Sequence, residues 1–136
     1  MNTQEKYEYW LDIAQYDLET ASTMLSGGRW LYVVFMCQQA IEKLVKGLYT
    51  LYIDDNVPRT HNIKSIIERF DDKLTEVIPE DKINFFDILS VYYLNNRYPD
   101  FINKLSLQIK ESEATEILSK TKEVFAWLLT LKPQTN

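Results

Sequence analysis

Apolar positions recur at alternating spacings of four and three along most of this chain. The first stripe runs Tyr7, Leu11, Ala14, Leu18, Ala21, Leu25, which draws one face of a long helix. Asn2 or Thr3 can cap its start, Glu5 adds negative charge to the first turn, and Gly27-Gly28 ends it. A second stripe, Trp30, Val34, Cys37, Ile41, Leu44, Leu48, Leu51, predicts a helix from near Arg29 to about Tyr52. So tight a turn between two long stripes predicts an antiparallel hairpin. Gly47, inside the second helix, is read as the point where two helices cross closely. Asp54 to Pro58 reads as a loop.

A short helix is predicted from Ile63 to about Asp72, with Ile63, Ile66, Ile67 and Phe70 inward and Thr60 or Asn62 as its cap. A fourth should start near Pro79, with Glu80 and Asp81 beside the proline, and stop near Arg97, because Pro99 disfavours helical geometry at Tyr98. Between Tyr98 and Glu111 no period is clean. The last helix is predicted from Ser112 to about Leu131 through Ile117, Thr121, Val124 and Leu128, with Pro133 and a polar tail beyond. No run alternates with period two for long enough to make a convincing strand. The expectation is an all-α, up-and-down bundle of about five helices, one domain over residues 1–136.

Composition narrows the function. The formal net charge is -5, so the overall field repels phosphate and any nucleotide contact has to come from a few local cations. The one cysteine, Cys37, lies in an apolar run and reads as a buried structural thiol. That run is too short to cross a bilayer, and residues 1–6 show no charged-then-apolar signal pattern, so a cytoplasmic location is expected. There is no Gly-rich phosphate loop, no paired-cysteine metal site and no His-Glu-x-x-His helix; no metal and no cofactor are expected. His61 is the only histidine, which excludes multi-histidine chemistry within one chain; a capping or packing role at the third helix is its plainest reading.

Two clusters carry chemistry. Gln38, Gln39, Glu42 and Lys46 lie on neighbouring turns of the second helix, with Glu42 and Lys46 in the favourable acid-first order four apart. They make either an ordinary solvated face or the lining of a groove. Arg97 stands at the forced end of the fourth helix among Tyr92, Tyr93 and Tyr98. It either receives an anion or a stacked base, or caps its own helix and pairs with Asp100.

The order of these features resembles the HEPN family (higher eukaryotes and prokaryotes nucleotide-binding domain). Asp17-Leu18 with Ala21 sits in the first helix; Gln39-Ala40-Ile41-Glu42-Lys43 with Lys46 in the second; Pro58-Arg59-Thr60-His61 opens the third; Arg97-Tyr98-Pro99-Asp100 closes the series. The match spans about residues 7 to 131. The resemblance implies a helical bundle, often a homodimer, and partnership with a small nucleotidyltransferase-domain protein in toxin–antitoxin-like pairs. Some members are metal-independent endoribonucleases with an Arg and a His separated by four to six intervening residues, across a dimer. Here that window after Arg97, Ile102 to Lys104, holds no His; Arg29, Arg59 and Arg69 lack one too, and His61 follows Arg59 by only two. The Arg-Tyr-Pro branch is instead associated with nucleotide or polyanion binding. A non-catalytic binding module is therefore expected, with Arg97, Lys46, Glu42, Tyr98, Asp100, Arg59 and His61 around the ligand. The alternative is an endoribonuclease with a degenerate site, in which His61 and Arg97 are catalytic.

Overall fold

A computed structural model describes residues 1–95 and 97–133 of the chain. Among them are seven helical segments and no strand: α1 (Thr3–Ser26), α2 (Trp30–Tyr52), α3 (Ile63–Ile67), α4 (Asp72–Thr75), α5 (Glu80–Ser90), α6 (Pro99–Gln108) and α7 (Glu111–Leu129). The expected all-α fold is what forms. The polar tail beyond Pro133 lies outside the described residues.

The hairpin is built as the stripes require. Asn2 caps α1 by accepting from the Glu5 amide at 2.8 Å, and the Glu5 carboxylate accepts from the Asn2 amide, closing a capping box. Gly28 turns the chain at φ 73°, a conformation that suits glycine. At Gly47 a Cβ would stand 3.0 Å from the Cβ of Trp10 and 3.5 Å from the Tyr7 ring, so the glycine is what lets α1 and α2 cross closely.

The single stripe expected on α2 understates it. Fifteen of its 23 residues are buried, because α1 covers one side while α7, α3, α5 and α6 cover the others. A helix enclosed on nearly all sides becomes the axis of the bundle. It therefore buries polar residues too: Gln38, Glu42, Lys46 and Thr50.

The second half departs from the periodic reading. The third helix ends at Ile67 rather than Asp72, and a separate turn, α4, follows. The fourth ends at Ser90, well short of Arg97. The Ser90 hydroxyl donates to the Phe86 carbonyl at 2.9 Å and accepts from the Ile63 amide at 3.2 Å, tying the helix end to the start of α3. Beyond it, Leu94 leaves the helical path to join Leu31 and Leu105 in a second small core, with Phe35, Tyr92 and Ile102 against it. Burial of these side chains outweighs continuation of the helix. The stretch after Tyr98, expected to be irregular, is largely α6, with Pro99 in its first turn. In place of the Ser112 cap, Lys110 precedes α7, which starts at Glu111.

Candidate functional site

The site is built outward from Glu42. Its carboxylate is 1% exposed, and three donors converge on it. Gln38 Nε2 donates to Oε1 at 2.8 Å, Lys46 Nζ to Oε2 at 3.0 Å, and His61 Nδ1 lies 3.1 and 3.2 Å from the two oxygens. Gln38, Glu42 and Lys46 recur at intervals of four on α2, which stacks them along one side of the helix. His61 comes from the loop ahead of α3. That loop is held by Gln38, whose Nε2 also donates to the His61 carbonyl at 3.1 Å, and by Asn62, which caps α3 by accepting from the Ser65 amide. The group is thus a buried carboxylate with balanced partners, which water would otherwise have to solvate.

His61 leaves this interior contact and faces outward. Its ring stacks on Tyr93, with centroids 3.8 Å apart and planes 8° from parallel. Together with Thr60, Asn62, Ser90, Tyr93 and Arg97 it lines a recess of 350 Å³, within the range of small-ligand sites. Arg97 is the one permanent cation among these lining residues. Its guanidinium lies 5.1 Å from the Phe101 ring centroid, and among the described residues it forms no ion pair with a carboxylate. Among the described residues the pairing with Asp100 that the sequence left open is not formed, and the helix it was to cap, α5, already ends at Ser90.

The seven expected ligand residues divide. His61 and Arg97 meet in the recess. Glu42 and Lys46 lie behind it, buried, and reach it only through His61. Arg59, Tyr98 and Asp100 are exposed and do not line it; Tyr98 is 84% exposed. The stacking face is supplied by Tyr93. Thr60, Asn62 and Ser90 also line the recess; the sequence pointed to Thr60 and Asn62 only as helix caps and to Ser90 not at all. Thr60 and Asn62 flank His61 in the chain, and that adjacency was the available signal. Ser90 carries none.

The polar line continues away from the recess. Gln39 Nε2 donates to Gln38 Oε1 at 2.6 Å, Lys43 Nζ donates to Gln39 Oε1 at 3.0 Å, and Lys43 lies 3.6 Å from Asp17 of α1. Burial raises the Asp17 carboxyl above its ordinary range, with Lys43 pulling the other way. Elsewhere in the core, burial pushes the Cys37 thiol up to about 11, which makes it a packing group with little thiolate character. Among the described residues no three His, Cys, Asp or Glu side chains gather as a metal would require, and no helix is long and apolar enough to cross a membrane.

The molecule is thus a helical bundle with an imidazole and a guanidinium lining one recess. The family model for the HEPN domain matches residues 7–131, and the chain belongs to the HEPN family. Among solved structures, it is similar to TT1696 from Thermus thermophilus, with 25% identity and a TM-score of 0.78 over 92% of this chain and 97% of that one. It is likewise similar to ST0689, an archaeal HEPN homologue, with 26% identity and a TM-score of 0.73 over 93% and 98%. Comparison with curated proteins finds no match.

Proposed function

We propose that this HEPN domain is a non-catalytic binding module for a nucleotide or another polyanion, working in the cytoplasm as a homodimer and as the helical partner of a nucleotidyltransferase-domain protein in a toxin–antitoxin-like pair. The observation that carries the binding reading is the meeting of His61 and Arg97, distant in sequence, in one recess. On a body of charge -5, anion affinity has to be concentrated in such a place. Arg97 supplies a planar fork for a phosphate, and the Tyr93 and Phe101 rings supply apolar surface beside it.

Calorimetric titration with nucleoside triphosphates tests this. Arg97→Ala should weaken binding by about 1.5–3 kcal/mol, the range for a hydrogen bond to a charged group, and leave the melting temperature near that of the wild type. Arg97→Lys should restore only part, since lysine lacks the fork. Absence of binding by the wild type at millimolar ligand would remove the proposal.

One observation favours the endoribonuclease reading as a second. A carboxylate on Nδ1 of an imidazole that opens onto a basic recess is the arrangement of a general acid–base group. In that reading Arg97 stabilises charge on the phosphate. Incubation with mixed RNA in chelator, beside His61→Ala, separates the two. The binding reading expects intact RNA, and cleavage abolished by the substitution would reverse the ranking.

A further inference from the structure

The polar line from α1 to the recess has a direction, and the direction can be read without seeing a hydrogen atom. Lys43 can only donate, so the Gln39 atom it touches at 3.0 Å is the carbonyl oxygen. That fixes the Gln39 amide, whose nitrogen must then be the donor to Gln38 at 2.6 Å. The Gln38 oxygen is consumed as an acceptor, and its nitrogen faces Glu42 at 2.8 Å and the His61 carbonyl at 3.1 Å, both acceptors. At the far end, Lys46 can only donate to Glu42. Donor-only lysines therefore stand at both ends of the chain of contacts, and acceptor-only Glu42 is where they converge. No step can be reversed without placing two donors or two acceptors against each other.

From this we infer that Glu42 is a positioning residue, which holds His61 as the Nδ1–H tautomer and presents Nε2 to the recess as a hydrogen-bond acceptor. Nδ1 lies against both carboxylate oxygens, and a carboxylate so surrounded by donors accepts a further one. The Tyr93 ring, 8° from parallel, fixes the plane of the imidazole, and Glu42 fixes its rotation within that plane. The ring is pinned in both senses before any ligand arrives.

The consequence for recognition rests on the binding reading of the same recess. Arg97 offers donors to an anion, while Nε2 asks for a donor. The site thus suits an anion carrying a hydroxyl or amine hydrogen near its charge. Glu42, placed by the sequence among the ligand contacts, acts behind them, and Gln38, Gln39 and Lys43 act behind Glu42.

A single histidine makes the test direct. Long-range ¹H–¹⁵N correlation spectra of the ligand-free wild type, on the alkaline side of imidazole titration, report which ring nitrogen carries the proton. The expected result is a predominant Nδ1–H form, with a slowly exchanging ring proton that shows cross-relaxation to the Glu42 side chain. In Glu42→Gln the population should move toward the Nε2–H form that imidazoles favour in water, with dispersed amide spectra reporting an intact fold. A predominant Nε2–H form in the wild type overturns the inference. So does an unchanged tautomer in a folded Glu42→Gln. The wild-type cross-relaxation decides the matter even where the variant does not fold. No ligand enters the measurement, so failure to bind nucleotide in the earlier titration leaves it standing, and its own failure leaves that titration standing.

Discussion

At the scale of single residues, Glu42 and Arg97 should behave as opposites. Glu42 is buried with three donors on it, so Glu42→Ala strands the Lys46 ammonium and the Gln38 amide in a place water does not reach. Breaking a buried pair from one side costs about 3–5 kcal/mol, and urea denaturation should show a loss of that order. Arg97 is exposed, and its removal should be nearly silent in the same assay. Cys37 supplies a chemical check. Because burial pushes its thiol up to about 11, alkylation of the native protein at mildly alkaline pH should be negligible and should become rapid in denaturant. The unfolded thiol ionises at about 8.5. The group therefore stabilises the fold fully below that value, and its contribution is lost as pH rises toward about 11. The spacing of Glu42 and Lys46 and the apolar setting of Cys37 were legible in the sequence, but the burial of the pair was not, because a solvated face or a groove lining would both have left it at the surface. The stack of His61 on Tyr93 was not, because it joins a loop to a turn beyond α5, and neither has a period.

At the scale of elements, α1 and α2 approach closely at Gly47. Gly47→Ala should gain ~1 kcal/mol in helix propensity. It should lose more, because the new methyl stands 3.0 Å from the Trp10 Cβ, an atom fixed to the backbone of α1, and overpacking of this kind costs roughly 1–3 kcal/mol. A lower melting temperature for Gly47→Ala, and a lower one still for Gly47→Val, is expected; a rise for alanine would mean the helices can part freely. The two long helices and α7 were legible because each carries four or more turns of regular stripe. From Ile63 to Gln108 the helix starts at Ile63 and beside Pro79 were legible, but the helix ends and α6 were not, since these helices are short and their ends are set by contacts from elsewhere. Ser90 ties α5 to α3, and Leu94 and Leu105 pack with Leu31 of α2. A stripe with few repeats gives way to such contacts, which explains both the early end of α5 and the unforeseen α6.

At the scale of the whole molecule, the acidic body and the apolar surface point in different directions. Tyr9, Tyr16, Tyr32, Phe101 and Leu107 remain exposed on the isolated chain. Within the homodimer reading, light scattering at micromolar concentration should return twice the 16.1 kDa chain mass, and a clean monomer would contradict it. Under the proposed binding reading, the recess of His61 and Arg97 is where this acidic body holds an anion. Amide chemical-shift mapping during titration with adenosine monophosphate tests that claim most directly. Saturable shifts should concentrate at Thr60, His61, Asn62, Ser90, Tyr93 and Arg97, and should vanish in Arg97→Ala while the rest of the spectrum is unchanged. Shifts centred elsewhere on the bundle, or none at millimolar nucleotide, would contradict the assignment of this recess as the binding site.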